Sequence, residues 1–216
     1  MEIIWQPEKI ENESMQIIEK FIEGHGYQPV DKDVVKRIIH TTGDPAIAKS
    51  IKFQTGAAID GLKALRKSAN VFTDVTMLKA GVNKKKLAGY GGEVICSIGD
   101  PRVLEAAQDW NITRAASAMR LFGPQLNAAV VAIGNAPTAL FELLDLIEKD
   151  IARPALIIAT PVGFVGAAES KEMLIETNYP YITVRGTRGG SPLAAAAINA
   201  LLYYEGEAIR GKEEVG

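Results

Sequence analysis

Ala128-Ala129-Val130-Val131-Ala132-Ile133-Gly134-Asn135-Ala136-Pro137-Thr138 reads as a strand apolar on both faces that stops at a glycine and gives way to a helix opened by a proline. The same unit recurs downstream. Helical spacing over residues 136–149 leads to the apolar run 155–159, a helix over 167–176 leads to the run 181–184, and a helix over 192–204 closes the series. Strands that alternate with helices and lack a polar face define a parallel sheet covered on both sides. Upstream, Val71-Phe72-Thr73-Asp74 and Glu93-Val94-Ile95-Cys96 are two further apolar runs that end in turns, which makes five expected strands.

The first seventy residues keep a different period. Ile10, Ser14, Ile17, Ile18, Phe21 and Ile22 follow helical spacing up to a break at Gly24-His25-Gly26 and Pro29, and Val34, Val35, Ile38 and Ile39 resume it. A third helix is expected over 55–68. The fold class is therefore α/β, a parallel sheet flanked by helices with a helical N-terminal part packed on it. The expected organisation is a single domain over 1–216, divided into a helical cap (1–70), an α/β body (71–204) and a polar tail (205–216).

Composition narrows the functions available. The 216 residues are 47% hydrophobic and 23% charged, enough for a substantial core, and 24 basic against 26 acidic side chains leave a net charge of -2. No whole-molecule field draws such a chain to nucleic acid or to a membrane surface, so an anionic ligand must be held by a local basic cluster. The one cysteine, Cys96, excludes an internal disulfide framework and the cysteine-rich zinc sets. The N-terminus shows no basic segment followed by an apolar one, and no apolar run reaches membrane-spanning length, so a cytoplasmic protein is expected.

In an open parallel sheet, ligands collect beyond the carboxyl ends of the strands. Three of the turns there are glycine-rich: Gly134-Asn135-Ala136-Pro137-Thr138, Thr160-Pro161-Val162-Gly163-Phe164-Val165-Gly166 and Arg185-Gly186-Thr187-Arg188-Gly189-Gly190-Ser191-Pro192. Each allows close backbone approach and opens a helix whose free N–H groups favour negative charge, with Asn135 and Ser191 expected as N-caps. Such loops also arise simply as the way short β-α turns are built, but three on one edge, with Arg185 and Arg188 in one of them, point to an anion-binding crevice. Nucleotide motifs are lacking. Gly89-Tyr90-Gly91-Gly92-Glu93-Val94 has valine where the last glycine of a dinucleotide fingerprint belongs, and the phosphate-loop spacing at 206–212 is followed by Glu213 rather than Ser or Thr.

Two histidines are available for proton transfer. His25, between glycines, reads as a solvated turn residue. His40 closes an apolar helix and precedes Thr41-Thr42-Gly43-Asp44, whose hydroxyls and carboxylate could orient an imidazole; it is either a proton donor or a helix C-terminal cap. Two histidines and one cysteine give no metal-binding spacing.

Several stretches together resemble the precorrin-8X methylmutase (cobalt-precorrin-8 methylmutase) family: Arg37-Ile38-Ile39-His40-Thr41-Thr42-Gly43, Gly92-Glu93-Val94-Ile95-Cys96, Asn111-Ile112-Thr113-Arg114-Ala115-Ala116, 131–140, Pro161 to Lys171, and Val184-Arg185-Gly186 with Gly189-Gly190-Ser191. The likeness runs from about Ser14 to Leu201. It implies a homodimeric, flavodoxin-like isomerase of cobalamin biosynthesis that moves a methyl group from C11 to C12 of a corrinoid macrocycle, with no cofactor and no bound metal. It also implies that His40 donates the proton and that Ser14 contacts the tetrapyrrole. Arg114 and Arg185 are the expected clamps on substrate carboxylates, and Asn135, Gly163, Phe164 and Gly186 the expected pocket lining. The N-terminal helices, with Ser14 on an apolar repeat, are expected to reach toward a partner subunit. The competing readings are a corrinoid carrier without turnover, and a flavodoxin-like domain for another anionic molecule; the resemblance does not separate metal-free from cobalt-containing substrates.

Overall fold

The computed structural model describes residues 3–206. Six strands form one sheet: β1 (Ile51–Phe53), β2 (Val71–Thr73), β3 (Val94–Ile95), β4 (Val130–Ile133), β5 (Leu156–Ala159) and β6 (Tyr181–Val184), in the order β1-β6-β5-β4-β2-β3. The five strands expected from sequence are all present and run parallel to one another. Their order, taken without β1, is the 2-1-3-4-5 arrangement of flavodoxin-like sheets, with the reversal of strand order between β2 and β4.

The expectation of a wholly helical segment over 1–70 fails at β1, which pairs antiparallel with β6 in the register Ile51↔Val184 and Phe53↔Ile182. Three residues are too short to show an alternating pattern. Their strand character comes from the free edge of β6, which the sequence of β1 does not display.

Among the described residues there are ten α-helices, eight of which cover the sheet. One layer is built from α3 (Ala57–Arg66), α4 (Thr76–Gly81), α5 (Lys84–Ala88) and α10 (Ser191–Tyr203), the other from α6 (Pro101–Asp109), α7 (Arg114–Phe122), α8 (Pro137–Glu148) and α9 (Ala167–Ile175). Alternate strand residues divide between the layers: Val130, Ala132, Leu156 and Ile158 face the first, Val131, Ile133, Ile157 and Ala159 the second. The N-terminal helices α1 (Pro7–Ile22) and α2 (Pro29–Thr42) lie outside the first layer, with α2 packed on α10. This is why α10 is apolar nearly all round: Leu193 to Ile198 and Ala200 to Leu202 are buried between sheet and α2. Among the described residues no helix is long and apolar enough to cross a membrane. The spacing at 206–212 lies almost wholly outside the described residues, as does most of the polar tail.

Candidate active site

The carboxyl edge of the sheet is organised by three internal contacts. At the reversal of strand order, Asp74 follows β2 and its buried carboxylate accepts backbone N–H bonds from Gly134 (3.1 Å), Asn135 (2.8 Å) and Ala136 (2.8 Å). Asp74 thus fills the anion position at the start of α8. Asn135 and Ser191 do not cap their helices as expected: neither helix has a side-chain cap bond from its own flanking residue, because Asp74 supplies the acceptor for α8 from another strand and Gly190 precedes α10. Burial pushes the Asp74 carboxyl above the ordinary carboxylate range, against the three N–H bonds that favour its ionised form.

The second contact joins the loops after β5 and β6. Gly190 N–H donates to the Thr160 carbonyl (2.7 Å), the Thr160 hydroxyl to the Gly190 carbonyl (3.1 Å), and Gly163 N–H to the Thr187 carbonyl (3.1 Å). Only glycine fits at 189, where a Cβ would stand 2.2 Å from the Thr160 carbonyl oxygen. Lys171, on α9, is fully buried beneath them and donates to the carbonyls of Pro161 (2.9 Å) and Arg188 (2.8 Å).

The third contact brings in α2. Arg188 binds the Asp44 carboxylate at 2.5 Å, which holds that carboxyl below its usual range, and Arg185 N–H donates to the Ser50 carbonyl (2.8 Å). The segment that follows His40 is thereby fastened to the end of β6.

His40 is exposed in the last turn of α2, which ends on Gly43 in a left-handed conformation. Among the described residues, Thr42 and Asp44 do not orient the imidazole as expected. The Thr42 hydroxyl returns to the Ile38 and Ile39 carbonyls, and the Asp44 carboxylate serves Ala46 N–H and Arg188. The ring is left facing an open groove of about 510 Å³ walled by Ser14, Ile17, Ile18, Phe21 and Ile39.

That groove exists because α1 is anchored along one side only. Ile18 and Ile22 are buried against the core, and ion pairs join Glu11 to Arg37 and Glu19 to Lys32 and Lys36. The adjoining side carries Ile10, Ile17 and Phe21, about half exposed, with Ser14 between them. The Ser14 hydroxyl donates to the Ile10 carbonyl (2.8 Å), leaving its oxygen lone pairs available.

The structure therefore brings Ser14 and His40 together in one groove, and Gly163, Phe164, Arg185 and Gly186 together on the two braced loops. Phe164 and Val165 stand almost wholly in solvent, at 92% and 89% exposure, which is unusual for large apolar side chains outside a binding surface. Arg185 is paired with Glu172 of α9 at 3.1 Å. Asn135 is exposed, and its N–H is taken by Asp74. Arg114 is exposed at the first turn of α7, beside Thr113, whose hydroxyl is 2.7 Å from that of Thr138 at the start of α8. No direct contact joins Arg114 or Asn135 to the groove among the described residues. A larger cavity of about 720 Å³ between α7 and α8 holds the bidentate Arg120–Glu142 pair, and one of about 660 Å³ lies at the far ends of α8 and α9 beside Met173 and Tyr179. Neither contains a residue expected from sequence to act.

Sequence reasoning passed over Asp74, Lys171 and the pairing of Asp44 with Arg188. A carboxylate directly after a buried strand was the available signal for the first; a lysine within the apolar spacing of a helix was the signal for the second.

An α/β sheet of flavodoxin order with a glycine-rich carboxyl edge defines the doubly wound class of folds that bind small molecules at the carboxyl ends of their strands. Comparison with known proteins gives the family. The family model described as precorrin-8X methylmutase matches residues 9–204. Cobalt-precorrin-8 methylmutase of Salmonella typhimurium is 41% identical over 96% of this chain and 100% of its own length, and that of Priestia megaterium 40% identical over 95% and 94%. Precorrin-8X methylmutase of Pseudomonas aeruginosa is 44% identical over 76% and 80%. The solved structure of precorrin-8x methyl mutase from Thermus thermophilus superposes with a TM-score of 0.82 at 36% identity, covering 89% of this chain and 95% of that one. The chain belongs to the precorrin-8X methylmutase family, isomerases of cobalamin biosynthesis.

Proposed function

We propose that this chain moves the methyl group of precorrin-8X or cobalt-precorrin-8 from C11 to C12, giving hydrogenobyrinic acid or cobyrinic acid, and that His40 is its proton donor. The observation that carries the reading is the convergence of Ser14 and His40, 26 positions apart in sequence, on one apolar groove fastened to the braced loops. In a 1,5-sigmatropic shift the C11–CH₃ bond breaks as the C12–CH₃ bond forms and the ring π electrons redistribute, so the protein holds the macrocycle and stabilises that redistribution. Protonation of the ring near ring C by His40 withdraws electron density and favours migration. Loss of the same proton afterwards leaves an isomer of unchanged composition.

The apolar groove wall formed by Ile17 and Phe21, and the exposed Phe164 on the loop after β5, suit the macrocycle face, while Arg114 and Arg185 suit its carboxylates. Ser14 contacts the tetrapyrrole, backbone groups at Gly163 and Gly186 line the pocket, and Asn135, whose N–H is held by Asp74, offers its exposed side chain. A groove this open encloses little of so large a ligand, and the uncovered side of α1 fits a second copy of the chain, giving a cytoplasmic homodimer. Incubation of the purified chain with each substrate, followed by visible spectroscopy, tests the assignment: conversion of at least one is expected, and an unchanged spectrum with both overturns it.

A further inference from the structure

We infer that Lys171 is a positioning residue of this site, its buried side chain locking the loop after β5 to the loop after β6 so that Phe164 and the segment 185–188 present one surface to the ligand. The inference rests on the methylmutase reading for the identity of that ligand.

Lys171 lies in the interior, and its Nζ meets two carbonyl oxygens, Pro161 at 2.9 Å and Arg188 at 2.8 Å, one from each loop. Glu172, next to it in sequence on the same helix, is engaged by Arg185. A charged group buried among carbonyls is costly, and a methionine of similar length would fill the same space without that cost. What methionine cannot do is tie the two backbones together. Their remaining links are the short bonds between Thr160 and Gly190 and between Gly163 and Thr187, with Gly189 pressed against the Thr160 carbonyl. The brace extends to the groove, since the Arg188 carbonyl is held by Lys171 while the Arg188 guanidinium holds Asp44, four residues beyond His40. Lys171 touches neither the groove nor the exposed loop tip, and so acts through the loops.

The test uses the full chain with Lys171→Met, and Lys171→Arg as the conservative variant. Amide hydrogen exchange is read at Gly163 and Gly190, whose N–H groups cross between the loops, and hydrogenobyrinic acid is titrated as the binding probe. Lys171→Met should speed exchange at these two amides about tenfold or more while β5 and β6 keep parent rates, and should raise KM and the probe's Kd by a similar factor with kcat little changed. Lys171→Arg, where it folds, should recover part of both. Unchanged exchange at Gly163 and Gly190 overturns the inference, as does a loss of protection spread evenly through β5 and β6, which marks a lysine that serves the fold alone. If the parent converts neither substrate, the functional reading falls while the exchange result still decides the brace.

Discussion

At the scale of single residues, the site depends on a few charges placed against carbonyls and carboxylates. Arg185 already holds Glu172, so a substrate carboxylate must compete for it, whereas Arg114 is exposed at a helix start. Arg114→Ala and Arg185→Ala are expected to weaken product binding by about 1.5 to 3 kcal/mol each if the bonds are charge-assisted, with the smaller loss at Arg185. Calorimetric titration that leaves both affinities unchanged returns them to solvated surface arginines. Lys171 makes a separate prediction. Burial lowers its pKa from 10.5 to about 8, with Glu172 opposing the shift. Between those values the unfolded chain carries a proton that the folded chain has released, so Lys171 makes stability rise as pH rises through this window. Relative to Lys171→Met, the parent should gain at most about 3 kcal/mol from pH 8 to 10.5, measured by denaturant unfolding. The neutral amine still has two N–H groups, enough for both carbonyls. A parent that loses stability against the variant over this range contradicts the assignment.

At the scale of elements, the carboxyl edge is assembled by residues that come from elsewhere in the chain. Asp74, at the end of β2, holds the loop that leads into α8, and its removal leaves three N–H groups without their acceptor. Asp74→Ala should therefore cost about 1 to 3 kcal/mol in unfolding free energy, more than the loss of an exposed cap. A change below about 0.5 kcal/mol would mean that water replaces the carboxylate without loss. The two sides of α1 show the other use of an element. Its inner side is fixed on α2 by Ile18, Ile22 and ion pairs from Glu11 and Glu19, and its outer side is left apolar around Ser14. The sequence period of α1 does not say which apolar residues face the core, because Ile17 and Ile18 both fit a helical repeat.

At the scale of the whole molecule, the parallel body was legible because its strands, such as Val130–Ile133, are apolar apart from Thr73 and Thr183, and the helices α6, α8, α9 and α10 start at or beside glycine or proline. What escaped the sequence are features made by distant partners. β1 is a strand only because β6 offers it an edge, and the brace at Lys171 requires two loops to meet. The motifs around His40 and Ser14 marked the groove, but its walls were set by how α1 docks. The open groove and the uncovered α1 side lead to a prediction about assembly. Sedimentation should show a dimer at micromolar concentration, and substituting Phe21 with a charged residue should shift it toward the monomer. A fully active 23.2 kDa monomer would rule out a shared site and leave the His40 chemistry untouched.

The central claim is that His40 moves the proton that permits methyl migration. The most direct test compares the parent with His40→Ala in the spectroscopic rearrangement assay, using whichever substrate the parent converts, alongside titration with hydrogenobyrinic acid. His40 is exposed and no hydrogen bond holds its ring among the described residues, so the substitution should leave fold and binding intact while slowing turnover about 10²- to 10⁴-fold. Turnover by His40→Ala at the parent rate would contradict the account.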